Sequence, residues 1–90
     1  MYEIVISKQV QKKLNLLDDN FVSNFFQKAK LLASDPFDYS NNLDIIPLKG
    51  MPKGFYRLRI GDFRFLYEVR KEELFIFFFK ADSRDDVYKS

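Results

Sequence analysis

Residues 55–69 read FYRLRIGDFRFLYEV, and their alternation decides the fold. Gly61-Asp62 in the middle has the composition of a tight two-residue hairpin turn with glycine at its first position. The flanking runs, 55–60 and 63–69, are rich in aromatic and branched residues and read as strands. Antiparallel pairing about this turn sets Ile60 opposite Phe63, Arg59 opposite Arg64, Leu58 opposite Phe65 and Arg57 opposite Leu66. Opposed residues share a face and neighbours alternate. One face therefore carries Tyr56, Leu58, Ile60, Phe63, Phe65 and Tyr67 and belongs to the core. The other carries Arg57, Arg59 and Arg64, with Leu66 and Glu68. Like charges directly opposed across a strand pair are destabilising, so this arginine face is costly unless an anion lies between the cations. Two readings follow. Either the guanidinium forks bind phosphate, which their geometry suits, or the arginines are splayed into water or paired with Glu68, Asp82 or Asp85.

Outward from the hairpin, the rest of the chain falls into place. Residues 2–6 form a short first strand. Ser7 can cap a helix that begins at Lys8, with Val10, Leu14 and Leu17 at helical spacing. Asp18-Asp19 ends that helix and caps a second, in which Val22, Phe25, Phe26, Ala29, Leu32 and Ala33 make one apolar stripe. Asp35-Pro36 stops it. Residues 35–54 hold all three prolines and two of the three glycines and read as irregular. After a polar turn over 70–73, residues 74–80 make a last strand. Its first six residues, LFIFFF, are apolar throughout, which predicts a central strand covered on both faces. The order β-α-α-β-β-β gives an α+β domain spanning residues 1–90: an N-terminal strand and a helical hairpin packed on an antiparallel sheet.

Composition narrows the chemistry. Of 90 residues, 47% are hydrophobic and 11 are phenylalanine, which excludes a disordered chain and supplies a rich core for so short a domain. Cysteine and histidine are both absent. There is thus no disulfide, no thiolate nucleophile and no imidazole ligand or base, so neither a metal nor a cofactor is expected. The Asp82, Asp85, Asp86 cluster reads as a capping or salt-bridged tail rather than a metal site. The N-terminus lacks a secretory pattern and no apolar run approaches the ~20 residues of a membrane span. A soluble, cytoplasmic protein with no membrane partner is expected. The net charge is only +2, but residues 49–64 hold Lys49, Lys53, Arg57, Arg59 and Arg64 against Asp62 alone. Met51 and Phe55 lie within this basic segment and could stack on RNA or simply pack.

The run LKGMPKGFYRLRIGDFRFLYEV, the apolar strand ELFIFFFKA and the terminal SRDDVY together resemble the RelE/ParE superfamily of toxins from bacterial and archaeal toxin–antitoxin pairs. The resemblance covers the whole chain. It is most specific in the LKG before the second strand, in YRLRIGDFR and in RDDVY. RelE-type members enter the ribosomal A site and cut mRNA there by attack of a ribose 2′-hydroxyl on the adjacent phosphate. The resemblance therefore implies an endoribonuclease, an mRNA interferase acting on mRNA in the A site of the 30S subunit, neutralised by a cognate antitoxin in a hetero-oligomer. It makes Arg57, Arg59, Arg64 and Arg84 phosphate and transition-state ligands, with Tyr88 stacking on a base or positioning the attacking group. Lys49, Lys53 and Phe55 become RNA-binding positions. Two departures bear on the chemistry. Many relatives have a histidine where this chain has Ser83, and the best-known RelE toxin has an arginine where this chain has Asp82 and lysines at positions 57 and 59. Arginine is always protonated, which leaves Tyr88, Glu68 or a tail carboxylate as proton acceptor. Two other functions share the fold: ParE-type members inhibit DNA gyrase without cutting RNA, and a degenerate toxin could act only as an antitoxin-binding module.

Overall fold

The computed structural model describes residues 1–37 and 43–83. The elements are β1 (Glu3–Ile6), α1 (Lys8–Asn15), α2 (Asp19–Ser34), β2 (Asp44–Pro47), β3 (Phe55–Ile60), β4 (Phe63–Arg70) and β5 (Phe75–Ser83). The strands form one sheet in the order β1-β5-β4-β3-β2, and both helices pack on the same face of it. This is the expected α+β arrangement with two additions. β1 runs parallel to β5 while the other pairings are antiparallel, so the sheet is mixed. The segment read as irregular also contains β2, which pairs along β3. Its four residues, DIIP, show no useful alternation by themselves. They are held extended by the hydrogen-bonding edge that β3 offers, and a proline is tolerated because no described strand pairs beyond this one.

Both helices start where side chains satisfy their first N–H groups. The Ser7 hydroxyl accepts from Val10 N–H at 3.2 Å, and the Asp18 carboxylate accepts from Phe21 N–H at 2.8 Å. The stripes then bury Val10 and Leu14 from α1 and Phe25, Ala29, Leu32 and Ala33 from α2. Phe26, counted in the stripe by its spacing, is instead 42% exposed at its margin, edge-on to Phe25. Phe25 is the hub of the core, with ring centroids 4.5 Å from Phe65 and 5.1 Å from Phe78. Leu58, Ile60, Phe65 and Tyr67 are buried beneath the helices, as the hairpin alternation requires. No helix among the described residues is long and apolar enough to cross a membrane.

The last strand departs most from its expected burial. Ile76 and Phe78 are fully buried against the helices, but Phe75, Phe77 and Phe79 stand half-buried on the opposite face, which no described helix covers. Beyond Phe78 the alternation breaks. Tyr67 pairs with Phe78 and Leu66 with Lys80, which leaves Phe79 as the extra residue of a β-bulge. The bulge resets the parity, so Ala81 is buried and Lys80 and Asp82 point to the uncovered face. The edge of β5 beyond β1 is closed by α1. Ser7 N–H donates to Phe78 C=O at 2.9 Å, and the Gln9 amide takes the part of a strand, accepting from Ala81 N–H at 2.8 Å and donating to Ala81 C=O at 2.9 Å.

Candidate functional site

The sheet face opposite the helices is organised in cross-strand rows. Register sets Asp44, Arg59, Arg64 and Asp82 side by side across β2, β3, β4 and β5. The next row is Ile46, Arg57, Leu66 and Lys80, and the one after it is Phe55, Glu68, Phe77 and Val5. The opposed arginines of the first row are thus flanked on either side by a carboxylate, an arrangement that offsets much of their repulsion.

Within this frame the arginines are not equivalent. Arg57 donates through Nη2 to Asp44 Oδ1 at 2.9 Å, and its side chain is only 18% exposed. Asp44 lies on the strand that sequence pattern does not disclose, so this partner could not be named in advance. Arg59 is exposed and makes only a long 3.4 Å contact from Nε to Gly61 C=O. Arg64 is half-buried, and its Nε has no acceptor among the described residues. Asp82 stands beside it, with Lys80 Nζ at 3.7 Å as its cation. The row gathers guanidinium donors, and charge-assisted bonds from such donors to phosphate are favoured.

The structure brings together Arg57, Arg59 and Arg64 and leaves other candidates apart. Phe55 lies two same-face steps from Arg59, packed edge-on to Phe79 with centroids 5.9 Å apart. Lys49 and Lys53 sit exposed on the turns between β2 and β3, at the opposite end of the sheet from Arg59 and Arg64. Arg84 and Tyr88 lie outside the described residues. Glu68, one of the proton acceptors left open, is in the Phe55 row and contacts Arg70 at 3.5 Å.

A cleft of about 660 Å³ opens at that far end, lined by Phe37, Met51, Lys53, Tyr56 and Arg70 among others. Its Arg70 is engaged by two of its own carboxylates, Glu68 and Glu73. Arg70 bonds Glu73 at 3.1 Å, which raises the pKa of Arg70 and lowers that of Glu73, and Lys71 lies 4.9 Å from the Phe37 ring centre. The arginine row, not the cleft, is the candidate site.

Comparison with known proteins bears on both fold and family. The family model of the ParE toxin of type II toxin–antitoxin systems matches residues 4–88. The chain belongs to that toxin family. It is also 32% identical over 89 residues to a candidate RelE1 toxin of Methanocaldococcus jannaschii, covering 99% of this chain and 97% of the relative. The toxin in an archaeal RelE–RelB complex from Pyrococcus horikoshii superposes with a TM-score of 0.80 at 31% identity, over 92% of this chain and 94% of that one. The isolated RelE toxin of E. coli shares the fold at a TM-score of 0.75, with 19% identity over 99% of this chain and 93% of its own. Toxins of the RelE/ParE superfamily are thus this chain's relatives in both sequence and fold.

Proposed function

We propose that this toxin is a ribosome-dependent endoribonuclease that cuts mRNA in the A site and thereby stops translation. The observation that carries the reading is the gathering of Arg57, Arg59 and Arg64 on one sheet face, with the buried Nε atoms of Arg57 and Arg64 left without an acceptor among the described residues. In this reading the scissile phosphate sits over Arg59 and Arg64. The 2′-hydroxyl of the preceding ribose attacks phosphorus, the bond to the 5′-oxygen breaks, and a cyclic phosphate and a 5′-hydroxyl result. The arginines stabilise the extra negative charge of the phosphorane, and preorganised cations of this kind are worth ~10²-fold or more in rate. Arg57, held by Asp44, braces the row. Arg84 and Tyr88 contribute by their resemblance to RelE positions, and Lys49 and Lys53, at the far end of the sheet, contact RNA away from the scissile phosphate. Ribosomal action places the protein in the cytoplasm.

A cognate antitoxin is the proposed partner, supported by the likeness to a toxin in a RelE–RelB complex. It covers the open face and brings carboxylates to Arg57 or Arg64. Primer-extension mapping of mRNA on translating ribosomes tests the activity. The expected result is cleavage within the A-site codon by the free toxin and none with antitoxin present. The matching family model bears the ParE name, which favours gyrase inhibition as the second reading. Loss of supercoiling activity with ribosomal mRNA left whole would establish that reading instead.

A further inference from the structure

A 2′-hydroxyl becomes a nucleophile only when something takes its proton, and arginines cannot. The chain has no histidine and no cysteine, so among the described residues of the open face the acceptor must be sought in the carboxylates. Asp44 is already hydrogen-bonded by Arg57 at 2.9 Å. Glu68 is four residues along β4 from Arg64, roughly 13 Å at ~3.3 Å per residue, and it contacts Arg70. Asp82 differs from both. It is directly opposite Arg64 on the neighbouring strand. Its contact with Lys80 is 3.7 Å, too long for a hydrogen bond, and its side chain is 26% exposed. Its backbone is well held, because Gln9 binds both the N–H and the C=O of the preceding Ala81.

We infer that Asp82 is the proton acceptor of the cleavage step, an inference that rests on the ribonuclease reading above. A phosphate bound at Arg59 and Arg64 brings the neighbouring ribose along the same row, toward the carboxylate. The proton of the 2′-hydroxyl passes to an Asp82 carboxylate oxygen as the O2′–P bond forms. The P–O5′ bond breaks with its electron pair going to the 5′-oxygen, which takes a proton from a water molecule. The hydroxide so formed takes the proton from Asp82 and restores the carboxylate, so no net water is consumed. The β-bulge at Phe79 is what makes this possible: without it, strand parity would turn Asp82 toward the helices.

The test compares single-turnover cleavage of mRNA on purified translating ribosomes by the full chain and its variants. Asp82→Asn keeps the side-chain shape and removes the base. It is expected to lower the cleavage rate about 100-fold or more, with ribosome binding unchanged and the melting temperature preserved. Asp82→Glu is expected to restore part of the rate. Glu72→Gln makes the same charge change in the distal turn and is expected to cut like wild type. If Asp82→Asn cuts at the wild-type rate while Arg64→Ala does not cut, Asp82 is not the base and the ribonuclease reading survives. If the unmodified toxin leaves ribosomal mRNA whole, both are overturned.

Discussion

The two ends of the open sheet face share one backbone lattice and carry opposite chemistry. At the end closed by Gly61-Asp62, four strands contribute Asp44, Arg59, Arg64 and Asp82 to a single charged row. At the other end Phe79 packs against Phe55, edge to face, and against the tilted ring of Phe77, with Arg70 over the Phe75 ring. Charged side chains on a solvated sheet face need no justification beyond solubility, but opposed arginines do, and half-buried phenylalanines on an uncovered face do as well. Each end therefore departs from what a lone, inert domain would carry. The charged end fits a phosphate ligand. The aromatic end fits a protein that covers it. On the function proposed above, substitutions at the two ends should weigh differently on cleavage and on antitoxin binding.

The strongest perturbation removes both ends together. Phe25→Ala takes out the ring that joins Phe65 and Phe78 and is expected to cost about 3–5 kcal/mol, measured by urea denaturation. If it costs less than about 1 kcal/mol, the helices do not support the sheet as described.

Next in size is the contrast between the ends themselves. Arg64→Ala is expected to lower mRNA cleavage about 100-fold while changing stability by about 0.5 kcal/mol or less. Phe77→Ser, at the aromatic end, is expected to leave cleavage near wild type and weaken antitoxin binding about 10-fold or more, as loss of a buried aromatic anchor does. Hydrogen exchange of the complex sharpens the picture, since protection should appear on both β4 and β5. Equal loss of cleavage in the two variants would show that the ends do not act separately.

The turns that close the two ends differ as well. Gly61 has φ 57°, suited to glycine, whereas Leu74 holds φ 59° with a side chain 52% exposed. Left-handed backbone costs an L-residue about 1 kcal/mol. Gly61→Ala should therefore destabilise by about that amount, and Leu74→Gly should stabilise by up to about as much, both read from thermal melts. A stabilising Gly61→Ala would contradict the turn geometry.

The smallest effect lies in the pairing of Glu73 with Arg70. Arg70 holds the Glu73 carboxyl below its ordinary value of 4.5, so the pair stabilises the fold above that value and ceases to do so as pH falls through the depressed one. Glu73→Gln should thus be slightly less stable than wild type at pH 7 and indistinguishable from it near pH 2. A difference that grows on acidification would reverse the sign and refute the pairing.

Local pattern alone determines much of this protein. Alternation about Gly61-Asp62 places Arg57, Arg59 and Arg64 on one face with Leu58, Ile60 and Phe65 on the other, because side chains on a strand repeat with period two. Ser7 and Asp18 mark the helix starts because a side-chain oxygen must meet the first free N–H groups. What sequence could not decide are the features that depend on a partner strand. The residues DIIP become β2 only because β3 has an edge to fill, and that is what brings Asp44 to Arg57. The LFIFFF run reads as buried on both sides, but helices cover only one, so Phe75, Phe77 and Phe79 face outward. The bulge at Phe79 has no signature within β5 itself. It arises where β5 keeps register with β4 while Gln9 and β1 hold its other edge. One unpaired residue there moves Asp82 from the core side to the arginine row, because on a strand a single inserted residue reverses every face that follows.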